Sequence, residues 1–171
     1  GSRNTSTLKF IYLHMNVKKR NGKQEPFDEQ KIRTCIERCC VNIAGEPYPG
    51  VDADAVLLNA RIKLFDGVKT SDIDEGLIKS ARSMIEQEPN YKYVASGILV
   101  NTIYKEVFGT GVDSDAFELQ YRASFIVNLK KLIKAGIVNK NMAKFDLNKL
   151  SKQLKIERDR DFAYLGLQTV Y

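Results

Sequence analysis

The chain has 171 residues, 43% of them hydrophobic and 28% charged, and a formal net charge of +6. That composition excludes a disordered chain and fits a soluble globular one, with enough length for a core in one domain or one domain plus an appendage. One histidine argues against a histidine-built zinc centre or a catalytic triad, three cysteines argue against a disulfide scaffold, and no apolar run approaches the roughly 20 residues of a membrane span.

Residues 1–14 read as a tag or leader extension, with Gly1-Ser2 as a cleavage remnant and Met15 as a native start. Val17-Lys18-Lys19-Arg20 and Gln24-Glu25-Pro26-Phe27 then flank Asn21-Gly22. This predicts a hairpin closed by a two-residue turn whose central positions both need φ > 0. Strand alternation puts Lys18 and Arg20 on the face opposite Lys19. Pro26 confines the second strand to an edge, or marks its end. Asp28 suits a helix N-cap, and Ile32, Cys35, Ile36, Cys39, Cys40 and Ile43 follow at helical spacing. The three cysteines therefore read as small, inert core residues of one apolar stripe. Their clustering on that stripe, with no second pair, suits a reducing compartment.

Gly45 to Gly50, with Pro47 and Pro49, breaks the chain. Ala55, Leu58, Ile62 and Phe65 predict a second helical stripe, ended by Asp66-Gly67. A third helix opens at Thr70-Ser71, with Ile73, Leu77, Ile78, Ala81, Met84 and Ile85 inward. Ser71 and Asp74 stand in an approximate capping-box relation. After Pro89, Tyr91 to Val107 predicts a fourth helix that stops near Gly109. Thr110 to Ser114 reads as a linker. Phe117, Tyr121, Phe125, Leu129 and Leu132 form a fifth stripe, ended by Gly136, and a shorter helix is expected from about Asp146 to Ile156. Arg158 to Tyr171 shows no clear period. From Asn128 to Asp161 there are ten Lys/Arg against four Asp/Glu. Such a basic stretch can meet nucleic acid, an acidic protein surface, or only water. Lys130, Lys131 and Lys134 fall between the apolar positions of the fifth stripe, which favours a solvated or protein-facing surface.

No phosphate-binding motif of P-loop or dinucleotide type is present. What remains is a polar cluster at the hairpin: Lys18, Lys19, Arg20, Glu25, Asp28 and Lys31. By spacing alone it is a weak signal for anion binding. The segment Val17-Lys18-Lys19-Arg20-Asn21-Gly22-Lys23-Gln24-Glu25-Pro26-Phe27-Asp28-Glu29-Gln30-Lys31-Ile32 closely resembles the opening of an ATP-cone. Further marks of that family follow in order. They are Asp66-Gly67-Val68-Lys69-Thr70-Ser71-Asp72-Ile73, Pro89-Asn90-Tyr91-Lys92-Tyr93-Val94-Ala95, and Lys105 ahead of Gly109. Arg160-Asp161-Phe162-Ala163-Tyr164-Leu165-Gly166-Leu167-Gln168-Thr169 is similar to the segment joining the helical N-terminal region to the catalytic barrel in class I ribonucleoside-diphosphate reductases.

The resemblance implies an α+β fold: a small β-hairpin or sheet capping a four-helix bundle over 15–109, then a helical linker region over 110–171 leading to a catalytic barrel absent from this chain. It implies ATP or dATP with Mg2+ as allosteric effectors. Val17 would line the adenine site, and Glu25 would accept from the adenine amine. Lys19, Arg20, Lys31 and Lys105 would meet the triphosphate, and Thr70 would add a hydroxyl at a helix start, where backbone N–H groups also favour anions. Asp74 would lie near the sugar, where ATP and dATP differ; plain helix capping is its other reading. Arg20 could instead be a surface charge on the outer hairpin face. Asp28 is either near the phosphates or the cap of the first helix.

In the family it resembles, reduction needs barrel cysteines, a C-terminal redox pair and a radical-generating small subunit, because the disulfide chemistry cannot run without those thiols. The cysteines here are on a core stripe, so the chain alone is not expected to turn over substrate. The resemblance implies a cytoplasmic regulatory region that controls deoxyribonucleotide synthesis for DNA replication. Its partners would be the catalytic portion of the large subunit and the small subunit, in an effector-dependent oligomer, without nucleic acid or membrane. Two alternatives stand beside this: an ATP-cone-bearing nucleic-acid regulator, and a scaffold that has lost its nucleotide.

Overall fold

A computed structural model describes residues 15–60, 65–109 and 116–170. The 1–14 extension, Ile62 and the linker at Thr110 to Ser114 lie outside the described residues. Two short strands open the fold, β1 (Asn16–Lys18) and β2 (Gln24–Pro26), paired antiparallel with Val17 opposite Glu25. A third strand, β3 (Val68–Lys69), runs parallel to β1, giving the order β2-β1-β3. Pro26 therefore sits on an edge strand, at its last position, where no ladder N–H is missed.

The hairpin turn differs from the sequence expectation. Gly22 N donates to Lys19 O at 2.9 Å and Lys19 N donates to Lys23 O at 2.8 Å. The loop thus holds three residues, 20–22, with Gly22 at φ +83° supplying the left-handed position after a type I turn. Asn21 Oδ1 accepts from Lys23 N and tightens the bend.

Helix α1 (Glu29–Cys39) starts under Asp28, whose carboxylate accepts from Gln30 N and Lys31 N. It buries Ile36 and Cys39 and stops at Cys39, so Ile43 lies beyond it, largely exposed. Helix α2 (Ala53–Asn59) is capped by Asp52 and presents Ala53, Val56, Leu57 and Ala60 to the core. The expected stripe was out of phase: Leu58 is 84% exposed and Phe65 also faces solvent. Helix α3 (Thr70–Ser83) buries Ile73, Asp74, Leu77 and Ala81. Helix α4 (Tyr91–Phe108) is buried along much of its length and ends at Gly109, φ +74°; Val107 is exposed.

The extension begins with α5 (Phe117–Lys134), which buries Phe117 and Leu129. A 3-10 turn follows at Lys140–Lys144, then α6 (Leu147–Lys152), capped by Asp146 and shorter than expected. The aperiodic tail resolves into a 3-10 turn, Ile156–Asp161, and α7 (Tyr164–Val170). Tyr164 and Leu167 join the same core as Val94, Ala95 and Ile98 of α4. Lys130, Lys131 and Lys134 all point to solvent. No helix among the described residues is long and apolar enough to cross a membrane.

Candidate functional site

One cleft of about 700 Å³ opens between the sheet, α1, α3 and α4. That volume is within the range of small-molecule sites. Val17, Lys19, Arg20, Glu25, Asp28, Lys31, Thr70, Asp74 and Lys105, all nominated from sequence, line it.

Each arrives by a definite route. Val17 in β1 and Lys19, just past its end and still paired with Lys23, share a face because extended side chains alternate. Arg20 does not go to the opposite face, because the three-residue loop turns it back toward α3. Its guanidinium reaches Asp74 Oδ2 at 3.2 Å and Glu106 at 3.8 Å, so it is not a free-standing surface charge. Glu25, across the hairpin, pairs with Lys19 at 3.3 Å. Lys31 enters from the first turn of α1, just after its Asp28 cap. Asp28 combines its two readings: it caps α1 and also lines the cleft.

Thr70 opens α3, whose cap residue Lys69 supplies no side-chain hydrogen bond. The first N–H groups of that helix are thus left for another acceptor, and the helix dipole favours an anion there. The capping-box reading of Asp74 fails. Its side chain turns inward, is 7% exposed, and accepts from Lys105 Nζ at 3.0 and 3.1 Å as well as from Arg20. A carboxylate this buried persists only with such partners.

Sequence reasoning missed Arg38 and Asn101, which line the same cleft. The signal was available: Lys31, Cys35 and Arg38 recur at steps of four and three on α1, and Asn101 precedes Lys105 by four on α4. It also misplaced Cys35. Cys39 is buried, but Cys35 is half-buried on the cleft wall, accepting from Asn101 Nδ2 at 3.3 Å. Together the lining offers five cations against three carboxylates and an apolar wall from Val17, Ile32 and Leu77. Such a lining can take both an aromatic ring and several negative charges.

Residues 15–106 match the model of the ATP cone domain. The chain is 33% identical over 159 residues to the ribonucleoside-diphosphate reductase subunit alpha of Helicobacter pylori, covering 92% of this chain and 18% of the relative. It is 33% identical over 124 residues to that of Chlamydia trachomatis, covering 69% and 12%. It is 31% identical over 159 residues to that of Enterobacteria phage T4, covering 89% and 19%. The chain thus spans less than a fifth of these relatives.

Proposed function

The chain belongs to the ATP-cone family, and from that premise we propose that it is the nucleotide-sensing region of a ribonucleoside-diphosphate reductase alpha subunit. Its effectors are ATP and dATP. The apolar wall at Val17 and Ile32 receives the adenine, and the Glu25 carboxylate accepts from its amine. Lys19, Arg20, Lys31 and Lys105 meet the triphosphate, assisted by the Thr70 hydroxyl and the open start of α3. Asp74 stands beside the sugar, its position set by Arg20 and Lys105. Mg2+ enters with the triphosphate.

The region does no reduction itself. It works cytoplasmically on the catalytic portion of the large subunit, and through it on the radical-generating small subunit. A bound nucleotide can shift their assembly only by its differential affinity for two arrangements. ATP keeps the active one, and dATP favours an inactive higher assembly.

The observation that carries this reading is the convergence of all nine nominated residues on one cleft. Calorimetry with ATP and dATP in magnesium buffer tests it, together with thermal unfolding. Ligand at 100 times its Kd adds about 2.7 kcal/mol of stability. Folded protein giving neither heat nor thermal shift with millimolar nucleotide would leave only a scaffold. Sequence-dependent DNA binding at about 0.15 M salt would favour the nucleic-acid regulator instead.

A further inference from the structure

The three thiols, alike in sequence, are divided by the structure. Cys35 lies on the same face of α1 as Lys31 and Arg38, and that face forms a wall of the cleft. Its sulfur accepts a hydrogen bond from Asn101 Nδ2 at 3.3 Å, and the Cys39 thiol stands one turn on along α1. The neighbouring Cys39 thiol is the main reason the Cys35 thiol is lowered to about 7; the Lys105 ammonium also lowers it, while burial and the Asp74 carboxylate oppose. Cys39 is held well above its ordinary value by the neighbouring Cys35 and by burial. Burial, aided by Asp52 and Glu37, pushes Cys40 up to about 11. A dithiol with one member open to a cation-lined, partly apolar cleft suits a particular reagent: a small disulfide bearing negative charge.

We propose that Cys35 is a thiol-modification site inside the cleft, taking one half of a small anionic disulfide as a mixed disulfide, and that this adduct and a nucleotide exclude each other. The exclusion rests on the nucleotide reading above; the reactivity of Cys35 does not. In the step, the Cys35 thiolate attacks one sulfur of the reagent, the reagent's S–S bond breaks, and the other half leaves as a thiolate carrying the electron pair. Cys35 is oxidised and the leaving half reduced, so no further oxidant is needed. The adduct then fills space between α1 and α4 that a nucleotide would use, and its charge occupies the same cations.

Two probes test this on the 171-residue chain: dithiobis(nitrobenzoate), read by released chromophore, and oxidised glutathione, read by mass. One thiol should react in a fast phase at neutral pH, roughly five- to tenfold faster than an unperturbed thiol, since the gain in thiolate outweighs the loss of nucleophilicity. Peptide mapping of the unmutated protein should place the label on Cys35. Cys35→Ser should abolish the fast phase and Cys40→Ser should keep it. ATP shown by calorimetry to be saturating should slow the phase at least tenfold, and the glutathione adduct should lose its ATP heat until reduced. A label on Cys39 or Cys40, or a fast phase that survives Cys35→Ser, overturns the site. Undiminished labelling with ATP demonstrably bound overturns the exclusion. Fast labelling of Cys35 in protein that takes up no ATP would instead sink the nucleotide reading and the exclusion with it, leaving the thiol site standing.

Discussion

Asp74 places one carboxylate between two cations of the cleft, Arg20 at 3.2 Å and Lys105 at 3.0 Å. Asp74→Ala should cost about 1–3 kcal/mol, because it leaves two partly buried positive groups facing each other. Urea unfolding should show this, and ATP should recover more stability in the variant than in the parent, since the triphosphate replaces the missing charge. Lys105→Ala should weaken ATP by about 1.5–3 kcal/mol and leave adenosine nearly unaffected. Equal losses for both ligands in calorimetry would place Lys105 away from the phosphates. At this scale the site was largely legible. The nine residues were named from motif wording, and the cap role of Asp28 from residue type. The direction of Arg20 was not, because one extra loop residue reverses a side chain's face. For Asp74 the resemblance pointed into the cleft while residue spacing alone also allowed a cap, since the sequence pattern for a cap and for a buried ion pair is the same.

The helices were legible where the apolar period had one phase, as in α3 and α4. In α2 two phases competed, Ala55/Leu58 against Ala53, Val56, Leu57 and Ala60. Only packing against α1 and α3 decides between them. Strand β3 has two residues and so no period to read; its parallel pairing exists because Asp66-Gly67 brings the chain back beside β1, with Gly67 N donating to Asn16 O. The contact of α1 with α4 turns on Gly97. A Cβ there would stand 2.9 Å from Cys39 Sγ and 3.1 Å from its Cβ. Gly97→Ala should therefore destabilise by about 1 kcal/mol net, overpacking outweighing the gain in helix propensity. Adding Cys39→Ala should remove most of that loss relative to Cys39→Ala alone. A double-mutant cycle in denaturant measures the coupling. Additivity would mean that the helices separate at no cost.

Across the whole molecule, the extension is part of the cone's core and not a trailing segment. Tyr104 and Tyr121 both donate to Asp159 Oδ2, at 2.5 and 3.0 Å. Burial first, then that carboxylate, raises the Tyr104 hydroxyl well above its ordinary value; the same causes push Tyr121 up to about 12. Arg160 donates to the carbonyls of Arg38 and Val41, and Ser96 to that of Phe162. None of this was visible in the sequence, because a 3-10 turn and a seven-residue helix leave too short a run for periodicity. Arg160→Ala strips the end of α1 of two hydrogen bonds and should lower stability by about 1–3 kcal/mol. Limited proteolysis should then cut within 153–163 well before the bundle unfolds. Unchanged protection of that stretch would show that Tyr164 and Leu167 hold it alone.

Asp159 and Arg160 are neighbours in the chain, yet they fasten distant points. Cys39 packs on Gly97 and Cys35 meets Asn101, so α1 and α4 run antiparallel. Asp159 holds Tyr104 near the end of α4, and Arg160 holds the opposite end of α1. The pair is a diagonal brace across a two-bar frame. A diagonal resists sliding of one bar along the other, which would stretch it directly, and resists their splaying much less. The inexpensive motion left to the cleft is therefore rotation of α1 about its braced end, which changes the gap at Lys31 most and at Cys39 least. Whatever fills the cleft would be sensed outside it as a change of angle, with the lengthwise register of the two helices preserved.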